Sequence, residues 1–374
     1  MLAFLAAMTV AAQAACSASA PSEAGPLGPD TPVPAPMTST PSLRSLYVSS
    51  SGSDESPGTR DEPFASIRKA ASAATPGTTV FVGDGEYTRS FRTRASGTAD
   101  ARIAYVSENK WGARLVGDGD EDEDAVWRND GDYVDIRGFD ISGTTTDGLI
   151  ETGSYVRILD NRIHGFRDGT CVSTYKLNYT LRDIDIIGNV VSGCGSSSLD
   201  HGIYPGHPGG TISNNISYGH AGYGIHCWHN CNGLVITNNL VFDNQEGGIL
   251  IGQGDGPNYG KVDADDFIVA NNIVVDNGKD GIEESGATGS NIRYLNNNVF
   301  GNGTDFDLNT GSQSGTITTE PGFVDYRADG SGDYRLLESS PNIDAGIGAG
   351  APPTDIDGTP RPQGGQVDIG VYER

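Results

Sequence analysis

The 374-residue sequence is poor in the residues that build helix bundles. Methionine occurs only 3 times and leucine is sparse, whereas glycine occurs 53 times. Leucine, alanine and methionine favour helices, whereas frequent glycine is typical of tight turns. The composition therefore argues against an all-helical fold and favours short strands joined by many turns.

Positive charge is also scarce. The sequence holds 24 Lys and Arg residues against 49 Asp and Glu residues, which gives a formal net charge of -25. Such a chain repels the phosphates of nucleic acids and anionic lipids, so we expect neither as a partner. It also repels a polyanionic substrate unless a bound cation or a local basic cluster reverses the field.

Two parts of the sequence offer such a reversal. The acidic run at 118–124 has oxygen ligands for calcium, but it lacks the spacing of an EF-hand loop, so a solvated acidic loop is the alternative. Four of the few basic residues could instead line a groove and bind carboxylates, namely Arg162, Arg167, Lys176 and Arg182. Calcium and this basic cluster both stay open, and no organic cofactor is expected.

Long apolar runs are missing apart from a weak one in the first twenty residues. Residues 1–16 are predicted to be an export signal, because this run is short and ends in small residues. Ala14-Ala15-Cys16 resembles a lipoprotein cleavage box, yet Gln13 stands where that pattern has an aliphatic residue. A lipid anchor at Cys16 and ordinary cleavage nearby therefore both stay open. The Pro- and Ser-rich residues 17–43 are predicted to be a disordered linker, and we expect a secreted or cell-surface monomer.

A short phrase recurs along the rest of the chain. Each copy begins with an apolar residue, which is followed by two variable residues and then by Asn. In most copies an aliphatic residue stands two positions after the Asn. Successive copies are 24 to 33 residues apart, and their asparagines are Asn161, Asn189, Asn215, Asn239, Asn272 and Asn298. A second phrase, Gly followed by an aliphatic residue, comes nine residues after three of these asparagines.

This periodicity predicts an all-β fold, a single-stranded right-handed parallel β-helix over residues 44–374 with a closing segment at its C-terminal end. A single coil cannot bury its own apolar face, so stacked coils must share a continuous core. Asn at one fixed place per coil can form hydrogen bonds along the helix axis and tolerates the left-handed conformation of a turn. The longer interval between Asn239 and Asn272 predicts an inserted loop at 252–266 that could wall a groove. A β-sandwich is the alternative fold.

Four cysteines lie beyond Cys16, and an even number in an exported protein predicts two disulfides. Four cysteines allow three pairings. The pairing of Cys171 with Cys194 and of Cys227 with Cys231 closes the shortest loops and is preferred.

Motifs near both ends of this region resemble those of a known superfamily. They are the segment from Tyr47 to Asp54, the Pro63-Phe64 and Gly83–Tyr87 segments that follow it, and the ending from Ser340 to Glu373. These motifs are similar to those of secreted pectin-lyase-like β-helix proteins, which include pectate, alginate and chondroitin lyases. The resemblance implies the fold and an extracellular polysaccharide as substrate.

The resemblance carries over no catalytic residue. The sequence has no match to the aspartate-rich calcium site and lysine base of the pectate lyases. The paired aspartates of the polygalacturonases and the Asp-Pro-His motif of the β-helix epimerases are also missing. A site must therefore be argued from the residues of this chain.

Histidine is concentrated in one stretch, since five of the 6 histidines lie between positions 201 and 229. Two segments, 200–207 and 219–229, both contain the Gly-aliphatic phrase and can be laid on adjacent coils. This alignment places Ile203 beside Ile225 and Tyr204 beside His226, with the latter two facing outward. Trp228 and, further along the same column, Glu283 are predicted to share that face.

An outward column of His, Tyr and Trp suits chemistry on a sugar. Histidine exchanges protons near neutral pH, and aromatic rings stack on sugar rings. We expect a lyase that cleaves a uronic-acid polysaccharide by β-elimination, with His226 or His201 as base, Tyr204 as acid and Asp200 orienting a histidine. The residues expected to bind the substrate are Trp228, His229, His207, Arg167, Lys176 and Glu283.

Other interpretations stay open. The rings could stack for packing alone, or histidines could bind zinc, although His226 and His229 would point to opposite faces of a strand unless a turn intervenes. A glycoside hydrolase needs two carboxyl groups roughly 5–10 Å apart, and neighbours such as Glu283 and Glu284 diverge on a strand. A sugar epimerase and a non-catalytic carbohydrate-binding protein are the remaining alternatives.

Overall fold

The computed structural model of the protein describes residues 44–117, 124–143, 147–175, 180–254 and 262–374. The predicted export signal, the linker and Cys16 lie outside these residues. So do Lys176, most of the acidic run at 118–124, and residues 255–261 of the predicted inserted loop.

The described elements are short strands and one helix. In chain order they are β1 (Arg44–Val48), α1 (Ile67–Ala73), β2 (Thr78–Val82), β3 (Gly85–Thr88), β4 (Phe91–Thr93), β5 (Ile103–Ser107), β6 (Ala113–Gly117), β7 (Ala125–Asn129), β8 (Val134–Arg137), β9 (Asp140–Gly143), β10 (Asp147–Glu151), β11 (Arg157–Leu159), β12 (Arg162–His164), β13 (Val172–Tyr175), β14 (Asp185–Ile187), β15 (Val190–Ser192), β16 (Ile203–Gly206), β17 (Thr211–Ser213), β18 (Ile216–Tyr218), β19 (Tyr223–Cys227), β20 (Val235–Thr237), β21 (Leu240–Phe242), β22 (Gly247–Gln253), β23 (Ile268–Ala270), β24 (Ile273–Val275), β25 (Asp280–Gly286), β26 (Arg293–Leu295), β27 (Asn298–Phe300), β28 (Thr304–Asp307), β29 (Ser312–Ser314), β30 (Phe323–Asp325) and β31 (Asp333–Leu336).

All strands except β30 and β31, which pair with each other in antiparallel orientation, form three parallel sheets that wind around one core. Within the described ranges, sheet A has 11 strands from β1 to β29, sheet B has 9 from β3 to β27, and sheet C has 9 from β4 to β28. Every third strand along the chain returns to the same sheet, so each coil adds one strand to each sheet. The predicted all-β right-handed parallel β-helix is confirmed. In the part of the chain that the structure describes, no helix is both long and apolar enough to cross a membrane.

The repeated asparagines form a buried ladder along the helix axis. In each step the side-chain amide of one Asn donates to the side-chain oxygen of the next, as from Asn215 to Asn239 (3.0 Å) and from Asn239 to Asn272 (2.9 Å). The same amides also donate to backbone carbonyls, which satisfies polar groups that water cannot reach. The last rung is Asn297 and not the predicted Asn298, which instead donates to Asn342.

The left-handed turn position is the residue just before the ladder. Asn214, Asn238, Asn271 and Asn296 all have φ between 49° and 55°, which Asn tolerates better than most residues. Their side chains face away from the core and donate to backbone carbonyls of the C-terminal segment, as Asn271 does to Ile347 (2.8 Å). The two adjacent asparagines of the phrase therefore have different tasks.

A second ladder runs beside the site described below. The side chain of Asn244 donates to Asn277 (2.8 Å) and that of Asn277 to Asn302 (2.9 Å). His220 takes the equivalent place on the coil that precedes Asn244. Its backbone N–H donates to the side chain of Asn244, and its Nδ1 accepts from the Cys194 N–H (3.2 Å). His220 is thus a buried part of the framework.

The cysteines confirm half of the predicted pairing. Cys171 and Cys194 form a disulfide, with their Cα atoms 5.7 Å apart. Cys227 and Cys231 are both buried free thiols, so the predicted bond between them is absent from this structure. The Cys231 thiol donates instead to the carbonyl of Pro205 (3.0 Å), and burial raises the pKa of the Cys227 thiol well above its usual value.

The C-terminal segment closes the outer face of sheet B. Tyr334, Leu336, Ile369 and Val371 pack there against a second apolar cluster that includes Phe242. An ion pair between Arg361 and Glu373 (2.7 Å), buried at both partners, holds the segment's own turn together. The predicted closing segment therefore covers one side of the solenoid.

We predict that Asn239→Ala destabilises the fold by at least about 3 kcal/mol, because it removes four buried hydrogen bonds to partners on two neighbouring coils. Chemical denaturation measures the free energy of unfolding. The exposed Asn291→Ala is the matched control and should change this free energy by less than about 0.5 kcal/mol. Equal effects of the two variants would contradict a structural role of the ladder.

Glu151 provides a pH-dependent test of the core. Its side chain is fully buried, and burial together with nearby Asp130 raises its pKa well above the ordinary value, against a hydrogen bond from Asn129. The folded protein therefore keeps this proton at pH values where the unfolded chain has lost it, and stability falls as pH rises above the unfolded pKa.

We predict that Glu151→Gln, which cannot ionise, gains stability relative to the unmutated protein by up to about 1.4 kcal/mol per pH unit above roughly pH 4.5. Thermal unfolding over a pH series measures the difference. The exposed Glu338→Gln should show no such trend. A constant difference between Glu151→Gln and the unmutated protein across the series would refute the assignment.

Candidate functional site

The two histidine-rich segments lie on adjacent strands of sheet C, as predicted. Ile203 pairs with Ile225, and both side chains enter the core. Tyr204 and His226 follow them on the outward face, and their ring centroids are 5.3 Å apart. Neighbouring coils thus bring together side chains that are 22 positions apart in the sequence.

His201 lies behind this face and contacts His226. Its Nδ1 accepts a hydrogen bond from the backbone N–H of Tyr223 (3.1 Å), so a neutral His201 must carry its proton on Nε2. That Nε2 lies 2.6 Å from Nδ1 of His226 and therefore donates to it. The network in turn places the proton of a neutral His226 on its own Nε2.

Both histidines are neutral over a wide pH range. Burial lowers the pKa of His201 to about 3 and the pKa of His226 to about 2, with a smaller contribution from neighbouring histidines. The rings of Tyr204, Tyr223 and Trp228 lie within 6 Å of the His226 ring, and its Nε2 is buried although the residue as a whole is partly exposed. Such low pKa values make both imidazoles weak bases near neutral pH.

His229 contacts the hydroxyl of Tyr204 from the other side. Strand β19 ends at Cys227, and the following turn brings His229 back onto the same face, where its Nε2 lies 2.9 Å from the Tyr204 hydroxyl. The imidazole stacks on the ring of Tyr175, with centroids 3.9 Å apart. Tyr204 and His229 are both partly exposed, so this hydrogen-bonded pair borders the solvent.

Trp228 extends the face toward the next coil. Its indole rests against Gly252 and Gly254, where a Cβ atom would lie 2.9 Å and 1.9 Å from ring carbons of Trp228. Only glycine leaves room for the ring at these two positions. Trp228 therefore has a fixed and partly exposed ring beside His226, which suits a platform for a sugar.

Acidic residues lie on the C-terminal side of the cluster. Glu283 is three strand steps from Tyr204 on the predicted column and accepts a hydrogen bond from the Tyr223 hydroxyl (2.6 Å). Burial and the nearby Asp280 and Asp307 raise the pKa of Glu283. Glu284 points inward, where it accepts from the backbone of residues 309–311, so the two glutamates diverge as predicted.

Arginines lie on the other side of the cluster. The outward column of sheet C continues from Tyr204 through Ser173 and Ile150 to Arg128 and Arg92. Both arginines form ion pairs with Asp130. Arg128 also pairs with Asp124, so the charges on the N-terminal side of the face are balanced, whereas the C-terminal side around Glu283 is acidic.

Other predicted site residues have different surroundings. The carboxylate of Asp200 accepts from Ser196 and Ser197 and stabilises its own turn, so it does not orient a histidine here. His207 is fully buried with Nδ1 near the Gly209 carbonyl (3.1 Å), and burial lowers its pKa to about 4. Arg167 is exposed in the turn before β13, and Lys176 lies outside the described residues.

Zinc and calcium are the two metals considered in the sequence analysis, and each needs a group of converging ligand atoms. Within the described ranges, the only three His, Cys, Asp or Glu residues whose ligand atoms converge are Cys171, Cys194 and His220. The disulfide occupies both sulfurs, and both nitrogens of His220 have partners, so this group does not suit zinc. No described group of carboxylates converges in this way, and calcium at 118–124 stays a prediction.

Two residues of the site, Tyr175 and Tyr223, were not predicted from the sequence. Tyr175 precedes the basic Lys176 at the end of β13, and Tyr223 aligns with His201 just before the Gly turn. The alignment of Tyr223 with His201 on the neighbouring coil was an available signal, whereas Tyr175 aligns with Gly206 and had none. Their specific contacts, with His229 and Glu283, depend on ring orientations that a repeat does not encode.

Comparison with known proteins agrees with this architecture. The family described as Pel9A-like, right handed beta helix region matches residues 46–316. Pectate lyase PEL9 of Emericella nidulans is 36% identical over 76 residues, which cover 20% of this chain and 18% of that protein. The uncharacterized protein YwoF of Bacillus subtilis is 30% identical over 135 residues, which cover 33% of this chain and 29% of that protein. The chain thus matches less than a third of the length of either curated relative.

Solved structures show the same fold at low identity. Pectate lyase Pel9A superposes with a TM-score of 0.69 at 16% identity, over 88% of this chain and 96% of that one. An alginate lyase from Paenibacillus superposes with a TM-score of 0.50 at 18% identity, over 74% and 95% of the two chains. These similarities concern the fold alone.

We predict that His201 and His226 do not titrate between about pH 5 and 8, because burial keeps both rings neutral. Nitrogen NMR shifts of the imidazoles should show the proton on Nε2 in both rings. A titration midpoint within this range, or a proton on Nδ1 of His201, would contradict the network.

Proposed function

Because this chain belongs to the family of Pel9A-like right-handed β-helix proteins, we propose that it is an exported lyase acting on a polysaccharide that contains uronic acids. The observation that carries the proposal is the partly exposed pair of Tyr204 and His229, whose hydroxyl and Nε2 are 2.9 Å apart. An acid–base pair at the surface of a groove-forming sheet is what β-elimination requires.

The pair accounts for both proton transfers. Tyr204 passes its proton to His229, and the phenolate oxygen removes the C5 proton of the uronate. The electrons of the broken C5–H bond form a C4=C5 double bond and expel the glycosidic oxygen from C4. Tyr204 donates the acquired proton to this oxygen, and His229 returns the original proton to Tyr204. The net change is one C–O bond broken, one double bond formed and one proton moved from carbon to oxygen.

His226 and His201 support this pair in the proposal. Their low pKa values make both of them unsuited to hold the proton, and His229 is the histidine in hydrogen-bond contact with the Tyr204 hydroxyl. Their rings lie 5.3 Å and 5.1 Å from the Tyr204 ring and fix its position. Trp228 is the proposed sugar platform, and Arg128 on the N-terminal side of the face is a candidate for binding a substrate carboxylate.

A glycoside hydrolase is the second candidate. The observation in its favour is the raised pKa of Glu283, caused by burial and by the neighbouring Asp280 and Asp307. A protonated Glu283 could act as a general acid and a second carboxylate as a base. This reaction would not need Tyr204, which separates the two candidates.

We expect the protein to generate ultraviolet absorbance from a C4=C5 double bond on at least one polymer among polygalacturonate, alginate and chondroitin. Reducing ends that form without this absorbance would exclude the lyase and favour hydrolysis. Binding of a polymer without any product would point to a non-catalytic carbohydrate-binding protein. Assays with added calcium and with EDTA on the same panel test the calcium prediction.

We predict that Tyr204→Phe lowers turnover at least about 100-fold, because it removes the hydroxyl that exchanges protons. Thermal unfolding should change little, since the ring stays in place. Tyr155→Phe, at a ring that stacks on Tyr133, is the matched control and should keep full turnover. Full activity of Tyr204→Phe combined with inactivity of Glu283→Gln would favour the hydrolase instead.

A further inference from the structure

A separate cavity lies at the N-terminal end of the same sheet. It has a volume of about 330 Å³ and opens between the loop at Ser50–Asp54, helix α1 and the corner that joins β3 to β4. Its charged and aromatic lining includes Arg68, Arg89, Glu86 and Tyr87. None of these residues belongs to the Tyr204–His229 site.

The cavity lies in line with that site. Phe91, at its edge, begins β4, the first strand of sheet C. From Arg92 in β4, the outward column passes through Arg128, Ile150 and Ser173 to Tyr204, which is four strand steps. At about 4.8 Å per step this corresponds to roughly 19 Å. One extended polysaccharide chain on sheet C could therefore contact both places.

Arg89 has an unusual backbone conformation. Its φ is 101°, in a region that residues with a Cβ rarely adopt and that glycine adopts readily. The side chain is exposed, and within the described residues its guanidinium has no hydrogen bond or ion pair. Backbone strain at a residue whose side chain has no structural partner points to a role in binding rather than in stability.

The carboxylates in the lining are already engaged. Both oxygens of Asp54 accept hydrogen bonds from residues 65 and 66. Glu86 pairs with Arg114 (3.1 Å). Arg68 donates to the Ser90 carbonyl (2.9 Å), which anchors its guanidinium at the cavity. Arg89 is thus a cationic group whose whole guanidinium is available to a ligand, beside the half-buried ring of Tyr87, and Arg68 adds a second positive charge that has no ion pair within the described residues.

We propose that this cavity is a distal binding site for an acidic sugar unit, with Arg89 binding its carboxylate and Tyr87 contacting its ring. The inference rests on the proposed function for the identity of the polymer. It adds that the chain is held at two places on sheet C, which would increase affinity for long chains over short ones. It also offers a local solution to the repulsion between an acidic protein and an acidic polymer.

Binding to long polygalacturonate and alginate chains tests this proposal, in a Tyr204→Phe background that prevents turnover. Arg89→Gly should weaken binding at least roughly tenfold, since it removes a charge-assisted hydrogen bond. The same variant should unfold at an equal or higher temperature, because glycine relieves the strain at φ 101°. A residue with a purely structural role could not give this combination.

The double variant Arg327→Gln/Arg335→Gln is the control, because it removes two exposed positive charges from the C-terminal segment. It should bind as the parent does. Binding unchanged by Arg89→Gly, an equal loss in the control, or no binding of either polymer by the parent would overturn the distal site.

The two proposals can fail separately. A chain that binds through Arg89 but forms no double bond on any polymer would refute only the lyase. Lyase activity together with a polymer affinity that Arg89→Gly does not change would refute only the distal site.

Discussion

The structure depends on the need to satisfy buried amides between coils. Asn239 has no partner for its side chain within its own coil, and it is satisfied only when Asn215 and Asn272 stack on either side. A buried amide without a partner costs free energy, so a coil shifted in register would lose its ladder bonds together with its apolar contacts. The ladder therefore fixes which strands are neighbours, and the placement of Tyr204 beside His226 follows from that pairing.

Because register is fixed in this way, the site can be assembled from side chains that are far apart in the sequence. The backbone of Tyr223 orients His201, and His201 orients His226, which lies on the neighbouring coil. The same burial that supplies this order lowers the pKa of both histidines and leaves them neutral. Rigidity and proton exchange are consequently separated: His201 and His226, whose pKa values are low, provide the first, and the hydrogen-bonded pair of Tyr204 and His229 is suited to the second.

Strand register, which repeats in every coil, could be predicted from the sequence. Contacts made by individual turns could not. The spacing of asparagines predicted the β-helix, and the alignment of the Gly-aliphatic phrases predicted the neighbours Tyr204 and His226, because each coil repeats the same register. The predicted last rung, Asn298, is wrong by one residue, because Leu295 and Tyr294 can both begin the phrase and it is Tyr294 that packs in the central core, while Leu295 belongs to a separate cluster. The spacing also could not foresee that the turn after Cys227 returns His229 to the outward face, or that Asp200 would bind its own turn. Such contacts depend on local turns, which differ from coil to coil.

An acidic protein can bind an acidic substrate if its charged residues are suitably placed, even though its total charge is negative. A net charge of -25 repels a polyanion at long range, but that repulsion is screened over about 8–10 Å in physiological salt. Within that distance of sheet C, the order of residues decides the local field. Arg92 and Arg128 lie on one side of Tyr204, and Glu283 with its acidic neighbours lies on the other. A polyuronate on this face would therefore favour the N-terminal half. A polyuronate bound in this way would reach Tyr204 at the point where the acidic half of the face begins, because the arginines of the N-terminal half are balanced by Asp124 and Asp130.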